Sequence, residues 1–326
     1  MIRIAIVGYG NVGKGTECAI KQNPDTELVG VFTRRDPATV STLTGAPVYR
    51  MEDLPSFKGK IDCVILCSGS ATDLPRLTPA IAKDFCVVDS FDTHHKIHAH
   101  FAAVDAAARE GGTLALISGG WDPGLFSLNR LYASAVLPDG ADYTFWGRGV
   151  SQGHSDAIRR IDGVLDARQY TVPVPEALEA VRSGSQPQLT VRQKHTRECY
   201  VVAAPGADRA EIVRKIVTMP DYFDEYDTTV TFITQEEMRL YHSEMPHGGF
   251  VIRTGKTGLN GEHTQSVEYS LKLESNPEFT ASALVALARA VVRMRARGET
   301  GAVTVFDIAP RDLSPLTPEQ QRARLL

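Results

Sequence analysis

Long apolar runs are missing from this chain. No segment approaches the roughly 18 apolar residues of a membrane span. The most apolar helix candidate, Ala281 to Val292, is interrupted by Ser282 and Arg289. Cysteine is scarce and odd in number: Cys18, Cys63, Cys67, Cys86 and Cys199, three of them in strand-like apolar runs. That excludes a disulfide framework and matches reduced thiols in a cytoplasm. Neither charge dominates: 35 basic side chains face 39 acidic ones, for a formal −4. Such a balance disfavours a protein that coats nucleic acid. The first residues enter a strand pattern directly and lack the cleavage region of a secretory signal. Internal repeats and low-complexity tracts are absent.

Metal-binding signatures are lacking too. His94, His95, His98 and His100 crowd together, and His94 and His98 are spaced i, i+4. No H-E-x-x-H accompanies them and no cysteine lies near. We therefore expect no metal, and read a solvated helix start. Cys63 and Cys67 share one apolar strand at even spacing and read as inert packing.

What is present is ordinary globular composition, 43% hydrophobic and 23% charged over 326 residues. That length favours two domains of roughly 100–200 residues each. Residues 2–117 alternate short, unbroken apolar strands with helical stretches, the pattern of a parallel sheet covered on both faces. After Gly119-Gly120-Trp121-Asp122-Pro123-Gly124 the strands lengthen and alternate polar with apolar, as in an antiparallel sheet. The expected fold is α/β: a doubly wound parallel (Rossmann) sheet over 1–120, then an α+β domain over 121–298 with a mostly antiparallel sheet. Residues 299–326 are expected to pack back onto the first domain.

Gly8-Tyr9-Gly10-Asn11-Val12-Gly13 is G-x-G-x-x-G, placed directly after a strand and opening a helix. The first glycine permits the tight turn and the second admits a pyrophosphate to the backbone. The third lets helix and strand pack closely, and the helix N-terminus offers N–H groups to the anion. A NAD-type site places an acid at the end of the second strand for the ribose hydroxyl. Here that strand ends in Thr33-Arg34-Arg35. Two guanidiniums suit a 2′-phosphate, so NADP is the expected cofactor; the alternative is a solvated charged turn. Cys67-Ser68-Gly69-Ser70-Ala71-Thr72 follows a strand, where small residues border the ligand crevice; Thr72 or Asp73 also reads as a helix cap. Ser90 and Asp92 lie at the end of the next strand, again beside the expected cofactor.

Asp89 and Asp92 flank that strand end, and Asp122 follows the next strand. Acids at successive carboxyl ends converge on one crevice and suit a cationic group; singly, each also reads as a cap or turn residue. His154, in Gly153-His154-Ser155-Asp156, and His247, in Met245-Pro246-His247-Gly248-Gly249, stand among glycines where a substrate can approach. Arg197 reads either as a carboxylate clamp or as the partner of its neighbour Glu198.

Ile6-Val7-Gly8-Tyr9-Gly10-Asn11, Ser118–Gly124, Ser151-Gln152-Gly153-His154-Ser155-Asp156, Thr218–Phe223 and Met245-Pro246-His247-Gly248-Gly249 resemble the diaminopimelate dehydrogenase family, along essentially the whole chain. The resemblance implies a homodimeric NADP enzyme of lysine and cell-wall precursor metabolism. It would oxidise the D-centre of meso-diaminopimelate, reversibly, to L-2-amino-6-oxopimelate and ammonia. It also implies that Asp92, Trp121, Asp122 and Trp146 surround the reacting D-centre, with Gln152 and Gly153 nearby. Thr171, Arg197, His247 and Asn276 would bind the distal L-centre. Asp92, Asp122 and His154 are the candidates for the base. Competing readings are another NADP reductase of two-domain build, or an NADP-sensing regulator. A sugar-type oxidoreductase would carry a Glu-Lys-Pro stretch, which is missing here.

Overall fold

The computed structural model describes every residue from Met1 to Leu326. The chain divides into two compact units, Met1–Leu128 with Pro277–Leu326, and Asn129–Asn276. No helix is long and apolar enough to cross a membrane.

In the first unit, β1 (Ile2–Val7), β2 (Thr26–Thr33), β3 (Val48–Arg50), β4 (Cys63–Leu66), β5 (Val87–Asp89) and β6 (Leu114–Leu116) join the late strand Gly301–Val303. They form one sheet in the order Gly301–Val303, β6, β5, β4, β1, β2, β3. Every pairing is parallel. The unbroken apolar texture of the strands follows from burial on both faces. Ile4 and Ile6 of β1 enter one apolar cluster, while Ala5 and Val7 enter another. β4 divides the same way, with Cys63 and Ile65 on one face and Val64 and Leu66 on the other. Helices α1 (Asn11–Gln22), α2 (Leu74–Ala82) and α3 (Ile97–Gly111) are among the elements that cover these faces.

The helix Asn276–Ala296 changes the expected domain limits. Leu284, Val285, Leu287, Ala288, Val291 and Met294 lie in the same cluster as Ile4 and Ile6. Residues 277–298 therefore belong with the first unit, and residues 121–128 do as well. Periodicity identifies the helix but cannot say which sheet it covers. The expected return of the tail corresponds to Gly301–Val303 pairing with β6.

The second unit carries two sheets instead of one. Its strands are β7 (Gly140–Trp146), β8 (Gly149–Val150), β9 (Val164–Pro173), β10 (His195–Ala203), β11 (Asp227–Phe232), β12 (His247–Thr257) and β13 (His263–Leu273). One sheet runs β11-β10-β9-β8 and the other β13-β12-β7. Pairing is antiparallel except between β10 and β11. Separate apolar clusters centre on Ile158, Cys199 and Phe223, and on Phe145, Val181 and Ile252.

Arg289, interrupting the apolar run noted above, is only 1% exposed. Its guanidinium donates to Asp25 at 2.6 and 2.7 Å, to Asn23 Oδ1 at 2.7 Å and to the Leu313 carbonyl at 2.8 Å. The hydrogen bonds from Arg289, and then its charge, hold the Asp25 carboxyl below the usual carboxylate range. Removing one partner of a buried pair leaves the other desolvated and unpaired. Arg289→Met should destabilise the first unit by about 3 kcal/mol, and Lys should not restore the loss because it lacks the planar fork. Thermal and urea denaturation measure the effect.

Candidate functional site

Strand order reverses at β1, which lies between β4 and β2. In open α/β sheets the crevice forms at the carboxyl ends of strands at such a point. A cleft of about 300 Å³ lies there, lined by Gly8, Tyr9, Gly10, Thr33, Arg34, Arg35, Cys67, Ser68 and Asp73, with Val7, Phe32, Met51 and Leu77. Gly8 has φ +89°, and a Cβ there would lie 2.8 Å from Ser68 Oγ. A Cβ at Gly13 would collide with the Gly8 carbonyl oxygen. Asn11 begins α1, while Val12 packs against the core. The cradle thus has the close approaches that its glycines serve.

The two arginines at the end of β2 are already oriented. Arg34 makes a two-pronged ion pair with Asp73, both bonds 2.9 Å. Arg35 donates to the Tyr9 carbonyl at 2.8 Å, and its own N–H is taken by Thr33 Oγ1 at 3.1 Å. Asp73, one of the two alternative cap residues, precedes α2 but makes no side-chain cap bond to it, and instead faces Arg34. Tyr9 donates to Glu17, whose carboxylate also accepts the backbone N–H groups of Leu43 and Thr44, at 3.1 and 2.7 Å. Burial and the Glu17 contact push the Tyr9 phenol up to about 12. The segment carrying Leu43 and Thr44 is thus tied to the cradle. Cys67 is inert, since burial raises its thiol to about 12.

Beyond this cleft, Ser70 Oγ donates to Asp92 Oδ1 at 2.5 Å and accepts the Asp92 N–H at 2.9 Å. Asp92 is exposed; Gly69, Ala71 and Thr72 are exposed as well, and Ser90 is half-buried. Trp121 is buried edge-on against Phe126, 5.3 Å between centroids, and Asp122 beside it is half-buried. The histidine cluster divides. His94, His95 and His98 are exposed as expected, but His100 is buried against Asp89 at 2.7 Å. No group of side chains with metal-holding geometry is found.

In the second unit, register places the remaining candidates. Arg197 on β10 faces Thr171 on β9, and Gly149 on β8 faces Thr171 from the other side. Trp146 at the end of β7 pairs with Gly249 on β12. The His247 ring lies directly over Gly149, where a Cβ would come within 2.6 Å, and is edge-on to Trp146. Gln152 donates to Met245 Sδ at 3.1 Å, and the Asn276 N–H donates to the Met245 carbonyl at 3.0 Å. Gly153 is exposed on the first turn of the helix Gln152–Arg159.

Arg197 is 7% exposed, donates to the Thr171 hydroxyl, and lies 3.9 Å above the Tyr226 ring. It does not pair with Glu198, which takes Arg148 at 2.7 Å. Its Nε is buried with no partner. Desolvation lowers the guanidinium pKa. Two histidines share this neighbourhood in neutral form. His195 Nε2 accepts the Trp146 N–H at 2.8 Å, so its proton sits on Nδ1. His154 Nδ1 bonds Ser151 Oγ at 2.7 Å, and its ring packs on Tyr222 and Phe223. Burial, then the charge of Arg197, lowers His154 to about 4; burial, then Lys194 and Arg197, lowers His195 to about 3. Ser151, His195 and Tyr226 were not foreseen. Only Ser151 left a signal, as a cap residue before Gln152.

A parallel sheet, a glycine cradle at its switch point and a cationic strand end define a dinucleotide-binding protein of dehydrogenase type. The family model for the diaminopimelic acid dehydrogenase C-terminal domain matches residues 120–275. A meso-diaminopimelate D-dehydrogenase of Acetivibrio thermocellus is 58% identical over 100% of this chain and 98% of its own. The Corynebacterium glutamicum diaminopimelate dehydrogenase, solved in complex with DAP, superposes with TM-score 0.93 at 47% identity, covering 100% and 99% of the two chains. An engineered D-amino acid dehydrogenase bound to NADP+ superposes with TM-score 0.88 at 46% identity, covering 100% and 99%. The chain belongs to the meso-diaminopimelate D-dehydrogenases, a family of amino-acid dehydrogenases.

The two depressed histidines make stability pH-dependent. Between about pH 6.5 and pH 4 the unfolded chain binds protons that folded His154 and His195 refuse. Stability is therefore full above the unfolded value and falls as pH drops. From pH 7 to 5 the loss should be about 2 kcal/mol per histidine. Thermal denaturation at both pH values measures it, and His154→Gln should show the smaller fall.

Proposed function

We propose that the protein catalyses NADP-dependent oxidative deamination of the D-centre of meso-diaminopimelate, reversibly, giving L-2-amino-6-oxopimelate and ammonia. The observation that carries this reading is Arg197: a buried guanidinium without an acid partner, its Nε bare. A desolvated cation costs free energy unless it is paired, and a substrate carboxylate supplies the pair. Thr171, His247 and Asn276 accompany Arg197 at the distal L-centre. Asp92 and Asp122 take the reacting ammonium, with Trp121, Trp146, Gln152 and Gly153 shaping that end.

The residues fit NADP. Gly8–Gly13 would hold the pyrophosphate and Thr33, Arg34 and Arg35 the 2′-phosphate, and Cys67–Thr72 with Ser90 would border the rest of the cofactor. NADP supplies the hydride acceptor. Asp92, already held by Ser70, and Asp122 orient the Cα–H bond by fixing the ammonium. A base must take a proton from that ammonium and activate the water that hydrolyses the imine. A histidine lowered to about 4 is a weak base at neutral pH, so His154 is better suited to accepting or donating a fixed hydrogen bond. The carboxylates of Asp92 and Asp122 remain the candidates. We place the enzyme in the cytoplasm as a homodimer, on the cysteine usage and the family resemblance.

The test is NADPH formation from NADP and meso-diaminopimelate, with NAD, the LL isomer and D-alanine as comparisons. Turnover should be confined to NADP and the meso isomer, because only one configuration presents its hydrogen correctly once the far end is anchored. Arg34→Ala and Arg35→Ala should each raise KM for NADP by roughly 10- to 100-fold. Arg197→Lys should lower kcat/KM for the meso substrate although it keeps the charge. Comparable turnover of the LL isomer would overturn the two-ended reading.

A further inference from the structure

One buried acid in the first unit has no place in the chemistry above. Asp89 ends β5 and is 0% exposed. The parallel ladder between β5 and β6 stops one residue earlier, at Val88 opposite Leu116. Past that point the two chains continue as loops: Ser90–Asp92 on one side, Ile117–Pro123 on the other. Asp89 takes over where the ladder ends. Its Oδ1 accepts the N–H of Phe91 at 3.1 Å and of Ser118 at 2.8 Å. Its backbone carbonyl accepts the N–H of Gly119 at 2.8 Å. Ser118 is held at φ +57°, a conformation a non-glycine residue keeps only when its surroundings enforce it.

The other oxygen anchors the carboxylate to the helices. Oδ2 accepts the Thr78 hydroxyl of α2 at 2.7 Å and meets His100 Nε2 of α3 at 2.7 Å. His100 stacks on Phe91, 4.2 Å between centroids, which pins the middle of the Asp92 loop. One side chain therefore joins both loops to both helices.

We propose that Asp89 is the positioning residue that sets the Asp92 loop and the Trp121–Asp122 loop in register with each other. It touches neither substrate nor cofactor in this assignment. It acts through the backbone on which Asp92 and Asp122 are carried, and so rests on their reading as the groups that hold the reacting ammonium. Asn at this position keeps the shape but turns an amide N–H₂ toward two donors, Thr78 and His100, or withdraws an acceptor from Ser118.

The test is a double-mutant cycle in the full-length enzyme. Asp89→Asn should lower kcat for meso-diaminopimelate by roughly 10- to 100-fold, since a misplacement of about 1 Å costs that much. The dissociation constant for NADPH, read by its fluorescence, should change far less than kcat, because the glycine cradle and the two arginines lie on other loops. In an Asp122→Asn background the added loss from Asp89→Asn should largely vanish, as for residues that act as a unit. An unaffected kcat, additive losses, or a parallel loss of NADPH binding would each overturn the proposal. If Asp89→Asn does not fold, Thr78→Val is judged by the same three readouts, with Thr78→Ser expected to restore kcat. Silent Asp92→Asn and Asp122→Asn single variants would instead show that the reading of those acids is wrong.

Discussion

Parallel strand alignment is the constraint from which the first unit's site follows. Seven strands pointing one way deliver their carboxyl ends, and the loops after them, to one edge of the sheet. Gly8–Gly10, Arg34–Arg35, Cys67–Thr72, Ser90–Asp92 and Ser118–Asp122 are such loops. A parallel sheet buried on both faces leaves no wet surface for function, so chemistry collects at that edge. What the alignment cannot do is fix the loops once their ladder bonds end. Side chains do this: Asp73 for Arg34, Ser70 for Asp92, Glu17 for Tyr9 and its neighbours, Asp89 for Ser118.

The second unit follows a different logic, the management of a buried cation that has no acid partner, unlike Arg253, which is paired with Asp142. Arg197 is desolvated beside two imidazoles that would repel it if protonated. Both are held neutral, and each has a defined hydrogen bond, to Ser151 and to the Trp146 N–H. The Tyr226 ring face offers a weak partner to the guanidinium without neutralising it. The arrangement adds no further positive charge beside the Arg197 guanidinium.

Much of this was legible in the residues. The G-x-G-x-x-G turn, the cationic end of β2 and the strand–helix alternation report local requirements, which sequence states directly. Division of the second half into two sheets was not legible, because alternation marks strands and says nothing of partners. Nor was the allegiance of the helix Asn276–Ala296, since an apolar stripe does not name the surface it covers. The roles of Asp73, Glu17 and Asp89 escaped for one reason: an isolated acid reads equally as cap, turn or pair until its partner, some 11 to 39 residues distant, is brought to it.

The first unit is discontinuous in the chain, and this has a consequence for synthesis. When residues 1–128 have left the ribosome, β6 has an unpaired edge, and the apolar face later covered by Leu284, Leu287 and Val291 is bare. An open parallel edge beside uncovered Val, Ile and Leu side chains is a template for association with other chains. That exposure lasts while the 148 residues of the second unit, Asn129–Asn276, are made. The second unit is contiguous and has its own apolar clusters, so its sequence is complete before the first can close. The nascent chain thus carries an open, aggregation-prone six-stranded sheet for about half its synthesis, the interval in which a holding chaperone would matter most.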